Sequence, residues 1–397
     1  MRDGINSSSH EEPIEGLSWK EKIESGDELN KLWQQVLECL KSRGVQEVRP
    51  VRFYGVHENI DLNLEGDEAV LNYIRENKVT RPFWIFEGAH PEHKIVITKM
   101  RLSGEDPRGE ARNERIFYED IASDIEEEIP ENIRGRVNIP KYLASESEEN
   151  GNGFVQYEYA EGEPMSHVWF EAADGPMPIE DFKNLVEFIK AMQKAMNPEK
   201  IAAEHPEITM NSEGACPTHK RNREMMHEHE SEYREWLGDD VFDRMMALLD
   251  EKEEFVRNSG AVFTNIDINM SNIIKSDDGS MTIIDWERLK LLDNQAAAFS
   301  YIPATHWMYP ERQQEMFSEV LEENSENPDF KELFRLALIY YRFARVPMMY
   351  YWLRLKNGNL TTTEEIDHAK KGLEANKRLL IEALNNEGVW SNESVNL

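Results

Sequence analysis

The sequence predicts an α+β fold, in which a small, antiparallel β-rich lobe is followed by a larger, mainly helical lobe. Short apolar runs bounded by turn residues recur between Val48 and Tyr159, whereas the chain after residue 165 shows the apolar spacing of amphipathic helices. Gly162 lies between the two parts, where it allows a change of chain direction. We predict a disordered arm at residues 1–25, an N-terminal lobe at residues 26–161 and a C-terminal lobe at residues 162–397.

The composition argues against several classes of protein. The 397 residues carry a formal net charge of −32, whereas binding to nucleic-acid phosphates requires a basic surface. Apolar residues make up 40% of the chain, which is enough for a sizeable core. We therefore expect no nucleic-acid partner. The acidic surface could steer a cationic substrate towards the protein, and the alternative is a solvated coat without functional meaning.

The sequence also indicates in which cellular compartment the protein is expected. The two cysteines, Cys39 and Cys216, are far apart, which argues against a disulfide framework and for a reducing environment. The N-terminus lacks the apolar core of a signal peptide. The nearest candidate for a membrane span, Leu336–Leu353, is interrupted by two arginines and a proline. We therefore expect a cytoplasmic protein without a membrane partner.

The predicted N-terminal lobe begins with a helix and continues mainly as strands. Apolar residues at helical spacing predict the helix from Glu28 to Arg43, which Gly44 can end. The turn Ala89–Glu92 separates two segments with the alternation of strands. The predicted strands are Val48–Tyr54, Arg81–Gly88, His93–Met100, Asn138–Leu143 and Gly153–Tyr159, and the predicted helices are Glu28–Arg43, Asp67–Lys78 and Gly109–Ile121.

The C-terminal lobe is predicted to be mostly helical. Ile179–Met196 carries its apolar residues on one helical face, and Phe330–Leu355 is apolar almost all round, which predicts burial. The aromatic residues of Phe330–Leu355 are predicted to pack in the core, and a pocket for a cationic group is the alternative. The other predicted helices are Asp240–Val256, Glu311–Glu323 and a last one from the capping box at Thr362 to about Leu384.

A polar segment at residues 202–230, rich in His and Met, invites a metal hypothesis. His219, His227 and His229 stand among charged residues at no standard ligand spacing. Cys216 and His219 lack the second Cys/His pair that would complete a zinc site. We therefore interpret this segment as a solvated insertion.

The strongest chemical signal lies between residues 262 and 287. The run Val262–Phe263 precedes a polar loop with Asp267 and Asn272, and a later apolar run leads directly into Asp285. Asp277–Gly279 predicts the tight turn of a β-hairpin. The three side chains are therefore expected on two loops beside one hairpin, where their oxygen atoms suit Mg²⁺. The alternative is an ordinary hairpin with turn-forming Asn and Asp residues.

The order Asp267, Asn272, Asp285 is that of protein-kinase-like phosphotransferases. With the tail Ile284-Asp285-Trp286-Glu287, the region resembles the aminoglycoside phosphotransferase and choline kinase family, which has a His-x-Asp-x-x-x-x-Asn loop followed by Ile-Asp-Trp/Phe-Glu. Asn265 stands where that family has His. The resemblance covers roughly residues 48–300. It implies a protein-kinase-like bilobal fold and an ATP- and Mg²⁺-dependent transfer of the γ-phosphoryl group to a small-molecule hydroxyl.

The resemblance implies roles for the residues that match it. Asn272 and Asp285 would hold Mg²⁺, and Asp267 would orient the acceptor hydroxyl and accept its proton. Lys99, at the end of a predicted strand, would hold the α and β phosphates, and the alternative is a strand-end lysine that reaches for water. The motif Asn-Glu-x-x-Phe-Tyr of the following helix points to Glu114 as the partner of Lys99, with Glu110 and Glu119 as competitors.

The segment from Tyr157 to Pro164 resembles the hinge of the same family, where backbone groups bind adenine. The resemblance implies that Glu158 supplies a carbonyl and that Ala160 supplies an N–H and a carbonyl. A glycine-rich phosphate loop is not evident, because residues 55–80 contain only Gly55 and Gly66.

Two further functional hypotheses compete with a small-molecule kinase. A degenerate kinase that binds nucleotide or a partner without catalysis is favoured by Asn265 and by the missing glycine-rich loop. Retention of the lysine, both aspartates and Asn272 opposes it. A structural helical protein without a nucleotide site is the third hypothesis. The family's acceptors are aminoglycosides, choline, ethanolamine, sugars and amino alcohols, and Trp307 and Trp352 are the aromatic candidates for the acceptor pocket.

Overall fold

An apolar stripe at helical spacing buries one face of the first helix, Gly26–Ser42, in the computed structural model of the protein. Ser25 begins this helix, because its side chain accepts a hydrogen bond from the Glu28 N–H. The structure describes residues 24–53, 64, 66–77, 83–102, 110–147, 153–166, 175–206, 208, 218–306, 309–345, 347–348, 352–360 and 362–391.

The helices and strands are numbered here in chain order. The α-helices are α1 (Gly26–Ser42), α2 (Asp67–Glu76), α3 (Glu110–Ile116), α4 (Ala122–Glu128), α5 (Ile179–Ala195), α6 (Pro198–Glu204), α7 (Thr218–Glu228), α8 (Glu230–Leu237), α9 (Asp239–Glu251), α10 (Glu253–Asn258), α11 (Tyr301–Thr305), α12 (Pro310–Glu323), α13 (Phe330–Leu338), α14 (Leu353–Lys356) and α15 (Thr363–Asn385). The strands are β1 (Gln46–Phe53), β2 (Phe83–His90), β3 (Lys94–Arg101), β4 (Val137–Asn138), β5 (Tyr142–Ser147), β6 (Gly153–Glu158), β7 (Glu163–Pro164), β8 (Val262–Asn265), β9 (Ile273–Lys275), β10 (Met281–Ile283) and β11 (Leu289–Leu292).

The chain divides into two compact units. The first contains residues up to 105 together with residues 143–159, and the second contains residues 106–142 together with residues 160–397. The first unit is built on an antiparallel sheet and the second is mainly helical, which confirms the predicted α+β class. The predicted lobe boundary between residues 161 and 162 stays a prediction.

The first unit has a five-stranded sheet in the order β1-β2-β3-β6-β5. Helix α1 covers one face of this sheet, where Trp33 packs 6.4 Å from Trp84 and 5.9 Å from Phe86, measured between ring centroids. In β3, Met100 belongs to this buried cluster. Since side chains alternate along a strand, the neighbouring Lys99 lies on the opposite face of the sheet.

In the second unit, short strands position the loops between residues 262 and 292. Strands β9 and β10 form the predicted hairpin, and Gly279 in its turn has a φ of +87°, a conformation that side chains disfavour. Strand β4 pairs in parallel with β10, and β8 pairs antiparallel with β11. The loops that follow β8 and β10 are thereby anchored at both ends.

The strand predicted at Asn138–Leu143 is wrong as a single element. Val137–Asn138 pairs with β10 in the second unit, whereas Tyr142–Ser147 belongs to the five-stranded sheet of the first. Pro140 lies between the two pieces and has no backbone N–H to donate to a ladder. The apolar pattern continues across this proline, although the hydrogen-bonding does not.

Three predicted helices can be compared with the observed ones. The prediction for Ile179–Met196 is confirmed by α5, which ends at Ala195. Helix α3 begins as predicted but continues through a π-helical turn, Phe117–Ile121, into α4. The apolar segment at 330–355 forms α13 and then continues with π-helical geometry from Ile339 to Arg345. Within the described ranges, no helix combines the length and apolar composition needed to cross a bilayer.

Candidate active site

Asp267, Asn272 and Asp285 are brought close together by two loops of the second unit. Asp267 follows the end of β8, and Asn272 closes a 3₁₀ turn that begins at Met270. Asp285 follows β10, and the Ile284 N–H donates to the Asn272 carbonyl over 2.9 Å. The backbone next to Asp285 is therefore hydrogen-bonded to Asn272 itself.

Asn265 links these two loops through its side chain. Its Oδ1 accepts a hydrogen bond from the Asp267 N–H over 3.0 Å, and its Nδ2 donates to the Asp285 carbonyl over 3.0 Å. The residue is completely buried, so both bonds are shielded from water. At the position where the resemblance expects His, the chain thus has an amide that donates and accepts at the same time.

Two further asparagine amides hold the backbone carbonyl of Asp267. Asn272 donates to it from Nδ2 over 2.9 Å, and Asn269 donates to it from Nδ2 over 3.0 Å. Because the Nδ2 group of Asn272 is engaged in this way, its Oδ1 is the side-chain atom that could ligate a metal ion.

Asp285 has an unusual backbone conformation, with a φ of +69°. Such a conformation is costly for a residue with a side chain and persists only where the surroundings impose it. On one side the carbonyl of Asp285 accepts the bond from Asn265. On the other side Trp286 is completely buried and donates from Nε1 to the Ile283 carbonyl over 2.8 Å. These contacts keep the strained residue in place.

Helix α3 is joined to the Asp285 loop by aromatic stacking and by a hydrogen bond. The ring of Phe117 lies 3.9 Å from that of Trp286, with 5° between their planes. The Asn113 Nδ2 donates to the Glu287 carbonyl over 3.5 Å. Glu114 lies between these two anchors in the sequence and is itself buried. The π-helical turn that includes Phe117 is a geometry often found at functional sites.

Three carboxylates converge where helix α3 meets the Asp285 loop. Among the described residues, Glu114, Asp285 and Glu287 each offer an oxygen atom within 4.8 Å of the others. Carboxylate oxygens this close repel one another unless a cation or protons compensate their charge. Hard oxygen donors of this kind fit Mg²⁺ or Ca²⁺. Glu287 was part of the recognised tail, but the sequence assigned it no role.

The pKa of Asp267 is raised above its ordinary value. Burial is the main cause, and the nearby negative charge of Asp285 adds to it. Arg288 and the amides of Asn272 and Asn269 oppose the rise. Sequence reasoning missed Arg288, although its position directly before β11, opposite the start of the polar loop, was a possible signal.

The predicted nucleotide residues of the first unit occupy β3 and the end of β6. Lys99 is buried and lies between Ile85 and Val155 of the neighbouring strands. The Tyr159 N–H donates to the Ile95 carbonyl over 3.1 Å, which extends the pairing beyond Glu158.

The Glu158 side chain contacts His93 over 2.9 Å between Oε1 and Nδ1, an interaction the sequence did not predict. Ala160 follows as a half-buried residue. Lys99 and Glu114 belong to different compact units, and their pairing stays a prediction.

Several sequence hypotheses fall partly or wholly outside the described residues. The glycine-rich loop was sought at residues 55–80, and most of that segment (54–63, 65 and 78–82) lies outside the described residues. Cys216 and Trp307 also lie outside them. Trp352 is described and is half-buried. The side chain of His227 is more than half exposed, and its Nδ1 lies 3.7 Å from the Glu230 Oε2, as expected for a solvated insertion.

Comparison with known proteins places this arrangement in a family. A family model described as "Phosphotransferase enzyme family" matches residues 98–319, which is more than half of the chain. None of the curated proteins matches the chain significantly. The matched region extends from Lys99 on β3 past Asp285, and so includes the loops described above.

Solved structures of small-molecule kinases are similar to this chain at low identity. Wild-type aminoglycoside 2′-phosphotransferase-IIIa in its GDP complex has 13% identity and a TM-score of 0.47, covering 88% of this chain and 98% of that one. Amicoumacin kinase with AMP-PNP, Ca²⁺ and its ligand has 11% identity and a TM-score of 0.46, covering 89% and 96%. Spectinomycin phosphotransferase with ADP and spectinomycin has 11% identity and a TM-score of 0.46, covering 89% and 98%.

The family match, together with the fold, confirms the resemblance to the aminoglycoside phosphotransferases and the protein-kinase-like fold class. The chain belongs to the phosphotransferase enzyme family.

Proposed function

We propose that the protein transfers the γ-phosphoryl group of ATP, in a Mg²⁺-dependent reaction, to a hydroxyl group of a small molecule of the aminoglycoside, choline, sugar or amino-alcohol type. The observation that carries the proposal is the Asn265 bridge, which joins the backbone of Asp267 to that of Asp285 by two 3.0 Å hydrogen bonds. A loop built for catalysis must hold these two aspartates in a constant relation.

Asp267 is the proposed acceptor of the substrate proton. As the acceptor oxygen bonds to the γ-phosphorus, the bond from that phosphorus to the β–γ bridging oxygen breaks, and ADP leaves. The acceptor's proton passes to the Asp267 carboxylate. Burial and the neighbouring Asp285 raise the pKa of Asp267, which strengthens it as a base.

Asn272 and Asp285 are the proposed metal ligands, with Glu287 as a third candidate. When bound there, Mg²⁺ would neutralise charge on the phosphate oxygens. The oxygens of Asp285 and Glu287 and the free Oδ1 of Asn272 supply the donor chemistry that this ion prefers.

The first unit supplies the proposed nucleotide contacts. Lys99 is proposed to bind the α and β phosphates, with Glu114 as the carboxylate that orients it. The backbone of Glu158 and Ala160 is proposed to bind adenine. The side-chain contact between Glu158 and His93 holds the end of β6 beside the start of β3.

A cationic acceptor is the finer part of the proposal. The net charge of −32 favours the approach of a positively charged molecule. The carboxylate of Asp267, with the negative charge of Asp285 beside it, would favour a cationic group next to the reacting hydroxyl. Amino-alcohol and aminoglycoside acceptors carry such groups.

The test combines thermal unfolding with product analysis. Wild type, Asp285→Ala and the control Asp277→Ala are compared with Mg²⁺, with ATP or GTP, and with metal and nucleotide together. Asp277 is an exposed carboxylate in the turn before β10, so the control removes the same group away from the site. Mg²⁺ and ATP together should raise the midpoint of the wild type and the control but not of Asp285→Ala, since a ligand that binds the native state stabilises it.

Phosphorylated products are then sought by mass spectrometry with choline, ethanolamine, monosaccharides and aminoglycosides as acceptors. Product from wild type and control, but not from Asp285→Ala, supports the proposal. Full activity in Asp285→Ala would contradict it. Nucleotide binding without transfer to any acceptor, or to water, would favour the non-catalytic alternative.

A further inference from the structure

The side chain of Asn269 makes contacts on both sides of its amide group. Its Oδ1 accepts from the Ser271 N–H over 2.9 Å and from the Ser271 hydroxyl over 2.5 Å. Its Nδ2 donates to the Asp267 carbonyl over 3.0 Å and to Asp267 Oδ1 over 3.3 Å. The residue is only 3% exposed, so water competes little for these bonds.

The oxygen and the nitrogen of the Asn269 amide have different roles. The acceptor side caps the 3₁₀ turn at Met270–Asn272, as Asn commonly does at the start of a helical turn. The donor side reaches the carboxylate of Asp267, two residues earlier. Capping requires only an oxygen, so Ser or Asp could also provide it. The donation to Asp267 requires an N–H at the reach of an Asn side chain.

A carboxylate needs such a partner to be held in one orientation. The torsion that rotates the Asp carboxylate is broad and roughly two-fold, so its two oxygens exchange places easily when nothing fixes them. The amides of Asn265 and Asn272 fix the backbone of Asp267. The Asn269 donor engages Oδ1 over 3.3 Å, and the Asn272 amide also stabilises this carboxylate. Because Asn269 occupies Oδ1, we assign the acceptor hydroxyl to Oδ2.

We propose that Asn269 is a positioning residue, which fixes the rotation of the Asp267 carboxylate so that Oδ2 receives the acceptor's proton. This inference rests on the proposed function, because it assigns a task to Asp267 as the base. Asn269 acts through Asp267 and touches neither nucleotide nor metal in this scheme. Its loss should therefore reduce the rate of transfer without weakening the binding of Mg²⁺ and nucleotide.

The experiment separates the two sides of the amide. Asn269→Ser keeps a capping oxygen but loses the donor to Asp267. Asn269→Asp also keeps the cap and the size, and it places a second carboxylate beside Asp267. Ser271→Ala is the matched control, because it removes a hydroxyl from the acceptor side and leaves the Asn269 donor intact.

The measured reactions are Mg²⁺-dependent ATP hydrolysis, in which water replaces the acceptor, and transfer to choline, ethanolamine, monosaccharides and aminoglycosides. For Asn269→Ser we expect kcat to fall by about 10- to 100-fold, the usual scale for a misplaced catalytic group. We expect a fall at least as large for Asn269→Asp. The KM for ATP and the Mg²⁺–ATP shift in unfolding midpoint should stay close to wild type, and Ser271→Ala should keep its kcat.

Wild-type kcat in Asn269→Ser would overturn the inference, as would a fall in kcat matched by lost Mg²⁺–ATP binding or by unfolding. If the wild type transfers phosphate to none of the acceptors and not to water, the proposed function fails. Crystal structures of wild type and Asn269→Ser would then still test whether Asn269 orients the Asp267 carboxylate. A carboxylate of Asp267 that is ordered in the wild type and rotated or disordered in the variant supports it. An identical carboxylate orientation in both overturns it.

Discussion

The side-chain amide of Asn265 joins Asp267 to Asp285, with 3.0 Å between its Oδ1 and the Asp267 nitrogen and 3.0 Å between its Nδ2 and the Asp285 oxygen. Asn265 lies at the position of the family histidine, and the sequence left open whether an amide could connect the loop there. The structure answers this directly, because both ends of the amide are used.

Asn265→Ala should leave the Asp267 N–H and the Asp285 carbonyl without their buried partner. Each such loss costs about 1–3 kcal/mol, so we expect a clearly lower free energy of unfolding, measured by urea denaturation, and a lower kcat. Asn265→His should remain folded and active, since one imidazole nitrogen can donate to the Asp285 carbonyl. Collapse of folding or activity in Asn265→His would mean that the loop requires the smaller side chain.

Glu287→Gln should raise the Mg²⁺ concentration needed for half-maximal activity by about tenfold, which corresponds to about 1.4 kcal/mol of lost binding free energy. The reason is that a neutral amide replaces one of three converging carboxylates. The measurement is a Mg²⁺ titration at saturating ATP. Glu126→Gln, at an exposed position on α4, should keep the wild-type titration curve. An unchanged curve for Glu287→Gln would remove Glu287 from the metal site.

Phe117→Leu should loosen helix α3 from the Asp285 loop. Loss of the 3.9 Å stack on Trp286 should lower the free energy of unfolding by about 1–2 kcal/mol. Because Glu114 lies one helical turn before Phe117, the variant should also weaken Mg²⁺–ATP binding, measured as the shift in unfolding midpoint. Phe182→Leu is the control, since Phe182 is equally buried on α5. Equal loss of Mg²⁺–ATP binding in both variants would show that the stack has no special role.

His306 should make the protein less stable in acid. The pKa of this histidine is lowered from 6.5 to about 4, mainly by burial and to a smaller extent by the positive charge of Arg312. The Nδ1 of His306 lies 3.0 Å from the Ile302 carbonyl, and its Nε2 accepts from the Met177 N–H over 3.0 Å, as expected of a neutral ring protonated on Nδ1.

The sign of the effect follows from the lowered pKa. Between about pH 6.5 and 4 the unfolded chain binds a proton that the folded protein refuses, so stability falls as the pH falls through this range. The full loss is about 3.5 kcal/mol, since one pKa unit corresponds to about 1.4 kcal/mol. Urea denaturation at several pH values should show a flatter pH dependence for His306→Gln than for wild type. Parallel curves for the two proteins would contradict the assignment.

Much of the candidate site could be predicted from the sequence because its signals are local. As expected from their spacing, Asp267 and Asn272 lie on one loop and Asp285 follows the β9–β10 hairpin. Asp277–Gly279 forms the expected turn of that hairpin. Lys99 lies on the predicted strand, on the face opposite α1. These features depend on alternation and turn chemistry over a few residues, which the sequence displays directly.

Other features depend on partners far away in the chain. The segment around Pro140 looks like one strand, yet its two halves pair with different sheets. Glu287 follows Asp285 by two positions, but only the approach of helix α3 makes it part of a carboxylate group with Glu114. No local sequence pattern indicates which distant element will pack against a given residue.

By itself the sequence determined the α+β class, the order of the site residues and the chemistry of their side chains, because these follow from composition, periodicity and spacing. The tertiary structure alone decided how each side chain is used. Asn265, Asn269 and Asn272 are the same residue type, yet one bridges two loops, one contacts a carboxylate and one donates to a backbone carbonyl. The physical reason is that an amide donates and accepts with equal ease, so its role is set by the groups that folding places around it.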